Sequence, residues 1–143
     1  MTLNANVQTN NKVYLSIGTN LGDRQANIDK ALSLIGERVG HIEAVSSVIE
    51  TEPVGFNSPN KFLNCVICVF TALTPLDLLH TTQDIERTMG RLVKSRNGVY
   101  SDRIIDIDIL LYSDVKIDTP ELKIPHPRMQ ERDFVLKPLK EIL

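Results

Sequence analysis

Apolar and polar positions alternate from Val13 to Ile17, with Val13, Leu15 and Ile17 separated by Tyr14 and Ser16, and the run stops at Gly18. A period of two is the mark of a half-buried strand. After a turn through GTNLGD the period changes. Ile28, Ala31, Leu32 and Ile35 recur at helical spacing, with Asp23 as N-cap and Gly36 near the end. A β-branched stretch from Ile42 to Thr51 predicts the second strand, and the breaker-rich PVGFNSPN predicts a loop. The third strand is expected from Lys61 to about Thr71. Thr74, Pro75 and Asp77 supply a cap, a first-turn proline and an acid for a second helix, whose apolar stripe is Leu78, Ile85 and Met89 and whose stop is Gly90. Arg91 to Arg103 keep no period and read as a long loop. Ile104 to Tyr112 form a fourth strand, and a tail of turns follows around IPHPRMQERDF.

Strand, helix, strand, strand, helix, strand is the order of a ferredoxin-like α+β sandwich, an antiparallel sheet with helices on one face and the other face open for a site. With 143 residues, 42% hydrophobic and 24% charged, a single domain is expected over residues 13–143, behind a loose polar tail at 1–12. The tail has no apolar h-region and the longest apolar run is Cys65 to Phe70, so neither a secretory signal nor a membrane span is read. A soluble, cytoplasmic protein is expected. A net charge of -2 provides no global field for a nucleic acid, so any phosphate binding has to be local. Cys65 and Cys68 make a C-x-x-C, but in a strand they point to opposite faces and no second pair completes a metal site; they read as buried thiols.

Asp106 and Asp108 interrupt the fourth strand two residues apart, which puts both carboxylates on one face with Cα atoms roughly 6.6 Å apart. Neighbouring acids in an apolar strand repel unless a cation neutralises them, and hard oxygen ligands on a rigid element suit magnesium. A polar strand face in water is the alternative. Just upstream, Arg87, Arg91, Lys94, Arg96 and Arg103 stand against the single acid Asp102, a net +4 in a mildly acidic chain. Such a loop can close forked donors over a polyphosphate or stay solvated, and its place beside the acids favours phosphate. Phe62 and Asn64 share a strand face. They would offer a flat heterocycle a stacking surface and a donor-acceptor amide, or be an edge aromatic beside a surface polar group. Gln83 and Glu86, i and i+3 on the second helix, project together away from its core stripe, toward a bound ligand or toward solvent. His126 lies among prolines in a loop where it could contact phosphate, whereas His41 and His80 have no companion. There is no P-loop, and no G-x-G-x-x-G follows a strand, so a nucleotide would have to be bound in another way.

Six segments occur in a telling order: SIGTNLGDR, SSVIETEPVG, FLNCV, IERTMGR, DRIIDIDILLY and IPHPRMQERDFVLKPL. In that order the chain resembles the 6-hydroxymethyl-7,8-dihydropterin pyrophosphokinase family of folate biosynthesis, from about Lys12 to Leu143. The resemblance implies the ferredoxin-like fold and transfer of the terminal pyrophosphoryl unit of ATP, the co-substrate, to the pterin hydroxymethyl oxygen, giving AMP. It implies two Mg2+ ions bridged by Asp106 and Asp108. It also implies a pterin pocket of Thr51, Val54, Phe62, Asn64, Tyr100, Asp106 and Phe134, with Phe62 and Phe134 sandwiching the heterocycle. Nucleotide contacts would come from Gln83, Glu86, Arg91, Lys94, Tyr100, Arg103, Ile109, His126 and Arg132. Arg91 and Arg103 would act in catalysis by offsetting charge during transfer, and Lys94 falls in a loop that closes over the site in this family. The expected partners are ATP and the hydroxymethyl pterin, with no nucleic acid and no membrane, and a monomer is expected. Where members typically read Trp-Gly-Pro-Arg before the aspartate strand, this chain reads Tyr100, Ser101, Asp102 and Arg103, and Glu52 stands where a proline can occur. The first departure keeps a second reading beside the enzyme, a binding module of the same fold without turnover. An RNA-binding domain would need a basic sheet, where this strand carries two acids.

Overall fold

The alternation at Val13, Leu15 and Ile17 builds the strand that becomes the middle of the sheet. In the computed structural model, which describes residues 10–52, 59–90 and 104–143, β1 is Asn11–Thr19, two residues longer at its start than the pattern predicts. It is followed by α1 (Arg24–Arg38), β2 (Gly40–Val45), β3 (Ile49–Thr51), β4 (Phe62–Thr71), α2 (Pro75–Thr88), β5 (Asp106–Tyr112), a short hairpin of β6 (Ile117–Asp118) and β7 (Lys123–Ile124), a 3-10 turn at Met129–Glu131 and α3 (Asp133–Ile142). Both predicted N-caps are present. The Asp23 carboxylate accepts the Ala26 amide at 3.1 Å, and the Thr74 hydroxyl accepts that of Asp77 at 3.2 Å.

The main sheet has the order β2-β4-β1-β5, with β3 also on β4, and every pairing is antiparallel. Ile17 lies opposite Cys65 on one side and Ile107 on the other, so all three point to the same face. There the odd-numbered apolar residues of β1, β4 and β5 meet Ile28, Ala31 and Ile35 of α1 and Leu78 and Ile85 of α2 in one core. Each fully buried aliphatic side chain of this kind stabilises the fold by roughly 1.5–3 kcal/mol. The two predicted helices therefore share a face of a ferredoxin-like α+β sandwich.

Two features differ from the pattern-based expectation. The second strand is broken at Ser46, whose hydroxyl accepts the Val66 amide at 2.9 Å while its own amide donates to the Val66 carbonyl at 2.9 Å. A side-chain oxygen thus takes the place of a backbone acceptor, and β4 keeps its amide satisfied while the neighbouring strand changes direction. The C-terminal segment is more than turns. In α3, Val135 and Leu139 pack with Met129 on Tyr14, Val66, Cys68 and Leu110, on the face opposite α1 and α2. The face expected to be open is thereby covered at one end, and a pocket is left at the other.

The end of α3 is tied to the strand break. Glu141 accepts both the amide and the hydroxyl of Ser47, at 2.9 and 2.8 Å. These bonds, the backbone one foremost, hold the Glu141 carboxyl below its ordinary value. A depressed folded-state pKa contributes stability above the unfolded value of about 4.3 and loses it as pH falls through the lower folded value. Glu141→Gln is therefore expected to be less stable than wild type at neutral pH, with the gap closing in urea titrations below about pH 4. A gap that stays constant down to low pH would show that the carboxylate charge contributes nothing.

Candidate active site

The pocket is built by register across three strands. Gly18 of β1 lies between Asn64 of β4 and Asp106 of β5, and one step along, Ser16 lies between Val66 and Asp108. All point away from α1 and α2. Around this floor stand Phe62, Thr51 and Glu52 on one side and His126, Arg132 and Phe134 on the other. Asp106 and Asp108 share the pocket face as their spacing predicts, while Ile107 and Ile109 are buried in the helix-side core. The Ile109 side chain is on the far face, and only its backbone is on the strand that carries the acids.

Gly18 is required by the close approach of its neighbours. A Cβ here would sit 2.9 Å from Asn64 Oδ1 and 3.6 Å from the Phe62 ring. The Asn64 amide is buried, and its Nδ2 donates to the Thr51 hydroxyl at 2.7 Å. That bond turns Oδ1 toward Gly18, where it stands as an acceptor at the pocket floor. Phe62 and Phe134 are both half-buried in the pocket wall, and the Arg132 guanidinium lies 5.6 Å from the Phe134 ring centroid, within cation–π range.

His126 is held by its backbone, whose amide donates to the Leu110 carbonyl at 3.0 Å, and by its ring, whose Nδ1 accepts the Arg128 amide at 3.2 Å. A neutral ring accepting at Nδ1 carries its proton on Nε2. On α2, Gln83 is half-buried, whereas Glu86 is 4% exposed and accepts the Ile107 amide at 2.8 Å. The expectation that both project away from the core is corrected for Glu86, which is packed against β5. Val54, Arg91, Lys94, Tyr100 and Arg103 lie outside the described residues.

Pattern reading missed Ser16, Gly18, Glu52, Leu110 and Val135 in the pocket lining. Gly18 read as a strand end, and only the cross-strand register reveals it as the floor between an amide and a carboxylate. Among the described residues no group of three or more His, Cys, Asp and Glu could hold a metal unaided. Two carboxylates from one rigid strand would need further oxygen ligands, which is the usual situation for magnesium shared with phosphate.

The model of the 7,8-dihydro-6-hydroxymethylpterin-pyrophosphokinase family matches residues 14–143. The chain belongs to that family. Within it, a 2-amino-4-hydroxy-6-hydroxymethyldihydropteridine pyrophosphokinase of Porphyromonas gingivalis is 53% identical over 131 residues, covering 91% of this chain and 89% of the relative. The enzyme of the same name from Bacillus subtilis is 42% identical over 134 residues, covering 93% and 78%. A solved structure described as HPPK-DHPS in complex with substrates superposes with a TM-score of 0.76 at 17% identity, over 93% of this chain. A Plasmodium falciparum HPPK-DHPS variant gives 0.74 at 18%. At those identities the likeness establishes the ferredoxin-like fold, and this chain spans 40% of the length of each. No described helix is long and apolar enough to cross a membrane.

Proposed function

We propose that this pyrophosphokinase of folate biosynthesis transfers the terminal pyrophosphoryl unit of ATP to 6-hydroxymethyl-7,8-dihydropterin in a magnesium-dependent reaction centred on Asp106 and Asp108. The hydroxymethyl oxygen bonds to the β-phosphorus, the bond from that phosphorus to the α–β bridging oxygen breaks, AMP leaves and the hydroxyl proton is released. The observation that carries this reading is the row Asn64, Gly18, Asp106, which sets a polar recognition group and a carboxylate side by side on one pocket floor in a chain of this family.

The residues present suit a divalent cation, two hard carboxylates on one strand with positions left for phosphate oxygens and water. Two magnesium ions bound there would neutralise phosphate charge and align the β-phosphorus. The chain's own part is positioning and charge, since phosphoryl transfer asks little covalent work of a protein. Phe62 and Phe134 would stack on the two faces of the pterin, with Thr51, Val54, Asn64, Tyr100 and Asp106 completing its pocket. His126 would donate from Nε2 to a phosphate oxygen, with Arg132 beside it. Gln83, Lys94, Tyr100 and the Ile109 backbone would line the nucleotide, and Arg91 and Arg103 would offset charge shifting during transfer. The expected setting is the cytoplasm and the expected state a monomer. The test is an incubation of the protein with ATP, magnesium and the hydroxymethyl pterin. AMP should form only when all three are present and should cease with chelator; no AMP under any condition would favour a binding module without turnover.

A further inference from the structure

Glu86 stands apart from the residues that line the pocket. It is a carboxylate buried on α2, and burying such a group is costly unless it is hydrogen-bonded. One bond it makes is unusual in kind: Oε2 accepts, at 2.8 Å, the backbone amide of Ile107, the residue between Asp106 and Asp108. In the main sheet β5 pairs with β1 on one side, and among the described residues no strand of that sheet flanks its other side. Amides alternate in direction along an antiparallel strand, so the Ile107 amide points out at the edge while those of Asp106 and Asp108 turn toward β1.

The register of that edge matters to the site, because a slip of one residue would carry both carboxylates into the helix-side core. The Glu86 bond grips the strand from the helix at the residue between them.

We propose that Glu86 is a positioning residue that holds β5 so that Asp106 and Asp108 present their carboxylates together to the cation, rather than a contact to the nucleotide. This rests on reading the aspartate pair as the magnesium site. The hydrogen-bonding part needs an acceptor oxygen and no charge. Glutamine supplies the same oxygen at the same reach, and alanine supplies none.

Amide hydrogen exchange by NMR on the metal-free, nucleotide-free protein reads the grip directly, and it stands or falls whether or not the chain makes AMP. In Glu86→Ala, Ile107 should exchange at least about tenfold faster than in wild type. The turnover number should fall and the magnesium concentration for half-maximal rate should rise, by about 10- to 100-fold together, with the KM for pterin unchanged. Glu86→Gln should stay within about threefold of wild type in all of these. If the alanine variant does not fold, the glutamine variant carries the test alone. Exchange at Ile107 unchanged in Glu86→Ala, faster exchange with no change in rate or magnesium requirement, or a Glu86→Gln as impaired as alanine would each overturn the proposal.

Discussion

Replacing Asp106 or Asp108 by alanine should lower pterin-dependent AMP formation by about 10³-fold or more, the scale on which a preorganised electrostatic group acts in catalysis. The two carboxylates share one face of β5, opposite Gly18 and Ser16, where a cation held between them and a polyphosphate would be fixed by a rigid strand. Losing either leaves one ligand for a cation that dehydrates reluctantly and wants defined geometry. The fold should survive, because Ile107 and Ile109, the neighbours of the two acids on β5, are buried in the helix-side core on the other face. Magnesium-dependent rate and thermal unfolding measured on the same samples check both halves. Near-normal turnover in either variant would end the metal assignment.

Asn64→Ala should weaken pterin binding by about 10- to 100-fold, the cost of leaving a polar edge unpaired in a closed site, with ATP binding within about threefold of wild type. The amide is fixed before any ligand arrives. Nδ2 is held by Thr51, Oδ1 faces the Gly18 floor, and a Cβ on that floor would collide with it. A pre-oriented acceptor loses little freedom on binding. Titrating the variant separately with the pterin and with a non-reacting ATP analogue separates the effects, and equal losses for both ligands would remove Asn64 from the pterin pocket.

Much of the layout could be read from periodicity because side chains alternate faces along a strand, outside the irregularities that shift the β1–β5 and β2–β4 registers. Cys65 and Cys68 fall on opposite faces, Cys65 in the helix-side core and Cys68 beside Tyr14 and Val66. Burial pushes the Cys65 thiol up to about 11, that of an inert core residue. The same parity put Asp106 and Asp108 together and Ile109 away from them, although family resemblance had grouped Ile109 with the nucleotide. Other features needed three dimensions. The helix Asp133–Ile142 contains Pro138, a residue that argues against a helix interior, and packing of Val135 and Leu139 on the sheet outweighs it. Glu86 lies one residue from Ile85 on a helix whose stripe looked complete, and nothing in the spacing reveals that its neighbour is an edge amide. The Ser46 break depends on a hydroxyl finding the Val66 amide, a contact across 20 residues of chain.

The pocket's chemistry is tested most directly by following phosphorus through a single incubation with ATP, magnesium and 6-hydroxymethyl-7,8-dihydropterin by 31P NMR. AMP and a pterin diphosphate should appear in equal amounts, with no ADP, because the β-phosphorus is the centre attacked. ADP with a pterin monophosphate would mean that the γ-phosphorus is transferred instead, and would contradict the alignment proposed for Asp106 and Asp108.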